Sequence, residues 1–216
     1  MHSVKLVHST PDGDNLVSYM ARVSNPKNQD NTATSPRLIA YLIKHKHWSP
    51  FEMVSMCVEV ETTRSVAAQI LRHRSFSFQE FSQRYSKTDK ALPTDIRRQD
   101  KKNRQNSIDD MDRYTVQDFQ VKQQSLFDLS YKLYEEMLAA GVAKECARDV
   151  LPLCTPTKLY MHGTLRSWLH YCDLRCANGT QEEHKQIADA VRSIIAEQFP
   201  LCYQAMWDDD SSLPQS

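Results

Sequence analysis

The chain has 216 residues, with 27 Lys and Arg against 27 Asp and Glu, a formal net charge of +0 and only 4 glycines. Its length suits one domain with a substantial core, no stretch reaches the roughly 18 to 20 apolar residues of a membrane helix, and zero net charge argues against a general nucleic-acid coat. Gly13, Gly141, Gly163 and Gly179 stand too far apart to write G-x-G-x-x-G or G-x-x-x-x-G-K-[ST], so any bound nucleotide must have its phosphates held by side chains.

In chain order, Val4 to Val7 reads as a short strand closed by the turn Thr10-Pro11-Asp12-Gly13. Asp14 or Asn15 then caps a helix running to about Val23. Ser35-Pro36 starts a second helix with the stripe Leu38, Ile39, Leu42 and Ile43, and His45, Lys46 and His47 crowd its C-terminus. Val54, Met56, Val58 and Val60 alternate as a strand, with Ser55, Cys57 and Glu59 on the other face. Thr62 or Thr63 caps a helix from Ser65 to about His73.

Residues 89–112 are polar and read as a surface loop or insertion. A long helix follows from about Met111 to Ala140, with Phe119, Leu126, Leu133 and Met137 on one face and Gly141 as its stop. Ala143 to Val150 is a short helix ended by Pro152, and Thr155 to Gly163 is extended. Leu165–Cys176 and Glu182–Phe199 are amphipathic helices, and residues 208–216 form a frayed acidic tail. The expectation is one α/β (α+β) domain over residues 1–216, with a small, largely antiparallel sheet flanked by helices. The opening MHSVKLVHSTPDGD lacks the basic-then-apolar pattern of a secretory signal, which points to the cytoplasm.

Six cysteines form no C-x-x-C pair. Cys172 and Cys176 lie one helical turn apart, downstream of His162 and His170, but in one helix only two ligands converge, so no metal site is expected. The chemistry concentrates instead between Gln69 and Ser86. Gln69, Arg72 and His73 share a helical face at i, i+3 and i+4, Arg74 sits at the helix end, and Ser82 and Arg84 project to one side of an extended chain. Guanidinium groups suit bidentate recognition of phosphate or carboxylate; a solvated helix end with incidental charges is the plain alternative.

This segment resembles the signature of the flavin-dependent thymidylate synthases: Arg72-His73-Arg74, the seven residues Ser75 to Phe81, Ser82, then Gln83-Arg84-Tyr85. Other patches resemble the family in the same order: His47-Trp48-Ser49-Pro50-Phe51-Glu52, Ala147-Arg148-Asp149-Val150-Leu151-Pro152, and Leu165-Arg166-Ser167 with His170-Tyr171 and Leu174-Arg175, then Gln181 and Glu183. Met53, Gln79, Thr164, Thr180 and His184 depart from the usual pattern.

The resemblance implies conversion of dUMP to dTMP, with methylenetetrahydrofolate as carbon donor and NADPH as reductant through FAD. It implies FAD contacts at His47, Ser49, Arg72, His73, Arg74, Glu80, Thr164, Leu165, Arg166 and His170. It implies dUMP contacts at Gln69, Arg72, Glu80, Phe81, Ser82, Gln83, Arg84, Arg148 and Arg175, with Arg175 as the catalytic residue that polarises the uracil. Ser82 is a ligand rather than a nucleophile, since nothing nearby forms a Ser-His-Asp arrangement. Arg175 follows Arg166 by about two and a half helical turns, so the two point oppositely and serve different ligands or different subunits. The family further implies a homotetramer with shared active sites and no metal, nucleic-acid or membrane partner. Two other readings stay open: a flavoprotein of the same fold with another substrate, and a single-strand-binding module built on Phe76, Phe78, Phe81 and Tyr85 with the basic run Arg97 to Lys102.

Overall fold

In the computed structural model, residues 2–208 are described. They form, in order, β1 (Ser3–Ser9), α1 (Gly13–Ala21), α2 (Ser35–Lys44), β2 (Ser55–Thr63), α3 (Arg64–Ile70), β3 (Ser77–Glu80), β4 (Arg98–Gln99), β5 (Ser107–Ile108), α4 (Arg113–Ala139), α5 (Lys144–Ala147), β6 (Pro156–Thr164), α6 (Leu165–Arg175), α7 (Glu182–Gln198) and α8 (Pro200–Trp207), with short 3-10 turns between. Four strands make one antiparallel sheet in the order β1-β2-β6-β3. The remaining two, β4 and β5, pair as a separate hairpin inside the polar segment expected to be a loop.

The period of two along β2 decides which face is covered. Met56, Val58 and Val60 are buried, and on the neighbouring strand so are Leu159 and Met161, paired in register with Val60 and Val58. Trp168 and Leu169 of α6, and Ile187, Val191 and Ile195 of α7, belong to the same core. The opposite face carries Glu59, Glu61, Lys158 and Tyr160, joined by ion pairs from Lys158 to both glutamates and by Tyr160 Oη donating to Glu59. One face is dry and the other solvated, as an antiparallel sheet permits.

The signature segment is locked onto this sheet by Phe76. Its ring lies so close to Gly163 of β6 that a Cβ there would come within 2.4 Å of it. It also packs at 4.6 Å, centroid to centroid, against Trp168. Phe76 is therefore a core side chain and not an aromatic platform for bases.

Several expectations are corrected. Asp14 does not cap its own helix; its carboxylate accepts the N–H groups of Leu201 and Cys202 and so caps α8, a helix not foreseen. Helix α3 stops at Ile70, so Arg72 and His73 lie in the following turn. Residues 77–80 are a strand, because Phe78 and Glu80 pair with Met161 and Leu159 at the sheet edge. Ser82 and Arg84 sit in a turn rather than in extended chain: Ser82 accepts the N–H groups of Arg84 at its Oγ (3.3 Å) and of Tyr85 at its carbonyl. On α4, Phe119, Leu126 and Leu133 face outward, and Phe127 and Tyr134 are the buried pair. The tail beyond Asp208 lies outside the described residues.

Candidate active site

Helix α6 organises the site. Thr164 accepts the Ser167 N–H as its N-cap, and the Ser167 hydroxyl donates to the Ser75 carbonyl, tying the helix start to the signature turn. Near this end Arg166 forms an ion pair with Glu52, which sits in the 3-10 turn Ser49–Glu52. One helical turn on, His170 packs edge-to-face on Trp48 at 4.5 Å. Burial, and then Arg166, hold the His170 imidazole below its ordinary pKa. Ser49, Thr164, Arg166 and His170 are thus brought to one place. Leu165 is fully buried, with its N–H taken by the Val54 carbonyl, so its side chain offers nothing to a ligand.

At the other end of α6, Arg175 Nε donates to His73 Nε2 at 2.9 Å. This bond joins the C-terminal block to the Arg-His-Arg turn across 102 residues of sequence. Only a neutral imidazole with a bare Nε2 can accept it. Burial, then the charges of Arg175 and Arg72, bring the His73 pKa down from 6.5 to about 4, so the neutral form prevails. The Arg72 and Arg74 side chains are exposed and make no ion pair or hydrogen bond among the described residues.

A third cluster holds Glu80. Its Oε1 accepts from Arg64 Nη1 at 2.5 Å and from Thr157 Oγ1 at 2.9 Å. Arg64 was invisible to motif reading, since nothing in its spacing marks it. A fourth is a chain of amides: Gln69 Nε2 donates to Gln181 Oε1 (2.5 Å), Gln181 Nε2 to Glu183 Oε2 (2.8 Å), and Arg97 Nη2 to Glu183 Oε1 (2.5 Å). Burial alone would raise the Glu183 pKa, but the Arg97 and Gln181 hydrogen bonds outweigh it and hold the carboxyl below its ordinary value. A cavity of about 690 Å³ opens between the β4–β5 hairpin and the start of α7, with Gln181 in its wall.

Arg84 pairs with Glu145 at 2.8 Å, exposed to solvent, and Glu145 lies three residues before the half-buried Arg148. Gln83 is buried. His47, next in sequence to the Trp48 that packs on His170, has its own ring against Tyr41 and His45. Both arginines of the basic run are engaged: Arg98 makes a two-point contact with Asp110 and Arg97 is committed to Glu183. Tyr171 and His184, which pack on His73, were not singled out as site residues, although both stand within or beside the C-terminal motif block.

The sequence matches the Thy1 family, described as thymidylate synthase complementing protein, over residues 5–201. It is 52% identical over 197 residues to a flavin-dependent thymidylate synthase of Synechocystis, covering 91% of this chain and 90% of that protein. It is 48% identical to a probable flavin-dependent thymidylate synthase of Paramecium bursaria Chlorella virus 1, covering 93% and 94%. In structure it resembles PolB, a UMP/dUMP methylase of Streptomyces cacaoi bound with 5-Br dUMP, with a TM-score of 0.84 and 26% identity over 95% of this chain and 94% of that one. With the signature turn, the α6 arginines and a match spanning nearly its whole length, this chain belongs to the Thy1 family of flavin-dependent thymidylate synthases.

Proposed function

We propose that the protein is a flavin-dependent thymidylate synthase that reductively methylates dUMP to dTMP, taking its carbon from methylenetetrahydrofolate and its electrons from NADPH through FAD. The observation that carries this reading is the 2.9 Å bond between Arg175 and His73, which joins two family motifs into one site. FAD, when bound, supplies the redox chemistry. The donor set suits it: Arg72 and Arg74 have uncommitted guanidiniums for a pyrophosphate, with Arg166 and His170 on α6 and Ser49 in the 3-10 turn that Arg166 reaches through Glu52. His47, Thr164 and Glu80 complete the flavin contacts that the family pattern supports.

On the nucleotide side, Gln69, Arg72, Glu80, Phe81, Ser82, Gln83, Arg84 and Arg148 hold dUMP, some through backbone N–H groups. Arg175 is the catalytic residue. With Nε engaged by His73, its terminal nitrogens remain to stabilise negative charge on the uracil ring, which makes C5 more nucleophilic. Ser82 orients the substrate through its hydroxyl.

The site groups are distributed over one protomer, and α4 presents Phe119, Leu126, Leu129 and Leu133 to solvent. An outward apolar stripe of this kind supports a homotetramer with active sites completed by neighbouring subunits. The same reading takes residues 1–216 as one cytoplasmic domain with no nucleic-acid or membrane partner.

The test is dTMP formation from dUMP, NADPH and methylenetetrahydrofolate, with and without added FAD; product in the presence of FAD is expected, and none under any condition would overturn the reading. A second substrate class is worth carrying because PolB acts on UMP as well as dUMP. Competition between UMP and dUMP in the same assay separates a deoxynucleotide-specific enzyme from a broader one.

A further inference from the structure

Tyr171 and His184 place polar groups in the deepest part of the core. Tyr171 is 2% exposed and His184 0%. Tyr171 Oη and His184 Nε2 are hydrogen-bonded at 3.1 Å, while His184 Nδ1 has no partner among the described residues. An imidazole buried with one nitrogen unpaired costs stability that an aliphatic side chain of similar size would not. A buried group with this cost calls for a compensating use, and the neighbours suggest one.

The ring of His73 lies edge-to-face with both, 5.0 Å from Tyr171 and 6.1 Å from His184 between centroids. Phe76 closes a further side at 6.4 Å. His73 itself sits on a turn beyond the end of α3, where backbone geometry alone does not fix the ring. Its orientation matters because Arg175 Nε donates to its Nε2. A flip about the Cβ–Cγ bond would put Cε1 in place of Nε2, and the guanidinium would lose its anchor.

We propose that Tyr171 and His184 are positioning residues for Arg175: they wall the His73 ring so that Nε2 faces the Arg175 Nε, and this fixes the plane in which the terminal nitrogens of the guanidinium meet dUMP. The proposal rests on the reading of Arg175 as the nucleotide-contacting arginine. It accounts for the unpaired nitrogen, since a flat ring tied to Tyr171 at one end can serve as a wall while its other end meets only packed side chains. Both imidazoles stay neutral at pH 7. Burial, Arg175 and Arg72 lower His73 to about 4, and burial, Arg175 and His73 lower His184 to about 3.

The test uses Tyr171→Phe, His184→Leu and His184→Gln in the FAD-loaded protein. It measures dUMP affinity by calorimetry and the protonation of His73 nitrogens by 15N NMR. In Tyr171→Phe, which unties His184 from its partner, and in His184→Leu, dUMP affinity is expected to fall about tenfold, as for loss of the charged hydrogen bond that a misplaced Arg175 no longer makes to dUMP, with flavin content unchanged. The His73 Nε2 signal is expected to move from that of a bare acceptor towards a mixture of tautomers. His184→Gln, whose amide can reach the Tyr171 hydroxyl, should recover much of both. Should His184→Leu fail to fold, Tyr171→Phe, which removes a single oxygen, carries the test. Affinity within about twofold of wild type and an unchanged His73 tautomer in Tyr171→Phe would mean the pair is structural only. If the wild type fails to bind dUMP, the functional reading is at fault; the His73 tautomer then decides the positioning claim alone, a mixture supporting it and an unchanged signal overturning it.

Discussion

The two ends of α6 carry the same residue type in opposite circumstances. Arg166 lies in the first turn, 43% exposed, paired with the carboxylate of Glu52, itself 40% exposed. Arg175 lies in the last turn, where a cation complements the helix dipole, and it is bonded to a neutral, half-buried imidazole instead of to a carboxylate. A guanidinium whose partner is neutral keeps its full charge available to a third group, whereas Arg166 must exchange Glu52 for any anion it binds. On the proposed reading, the charge poised for chemistry is the one at Arg175, and the Arg166 end is a docking position whose ion pair can be traded for a ligand.

The largest expected effect follows from this. Arg175→Ala should lower turnover by about 10²–10³, the cost of removing one preorganised donor to a developing negative charge, while flavin remains bound; steady-state dTMP formation and the flavin absorption spectrum check both halves. A turnover loss accompanied by loss of flavin would mean that Arg175 holds the flavin rather than dUMP.

A smaller effect concerns pH. His73 titrates at about 4 in the folded protein against an ordinary 6.5, and His184 at about 3. Between those values the unfolded chain binds more protons, so stability is fully present above about pH 6.5 and declines as pH falls towards 4 and 3. Thermal melts from pH 7 to pH 4 should show Tm falling with acidification, and the slope should lessen in His184→Leu. A Tm flat over that range would contradict a neutral buried pair at the Arg175 end.

The smallest effect is at Ser82, whose hydroxyl already accepts a backbone N–H within its own turn. Ser82→Ala should raise the KM for dUMP a few-fold, as for one neutral hydrogen bond, with kcat retained at saturation. Complete loss of chemistry at saturating dUMP would make it a nucleophile instead.

The residues proposed for this site could be named from the sequence because fixed residues at long spacing mark chemistry independently of packing. His47 to Glu52, Arg72 to Tyr85, Arg148 and Leu165 to Glu183 all belong to that class. The strand β2 was legible for a different reason, since alternation reports directly on one buried face. What stayed hidden depends on tertiary contact. Arg64 holds Glu80 across 16 residues, and the partner of Asp14 lies 187 residues away. The stripe on α4 is apolar by periodicity, but periodicity says only that a face is apolar, not what covers it. His184 was seen as a departure from a pattern; only the fold places it against Tyr171 and His73.

The division of labour along α6 is tested most directly by measuring FAD and dUMP affinity in Arg166→Ala and Arg175→Ala side by side. A crossed pattern is expected, with FAD weakened in Arg166→Ala and dUMP weakened in Arg175→Ala, each leaving the other ligand near its wild-type affinity. Equal loss of both ligands in both variants, or the reverse assignment, would contradict it.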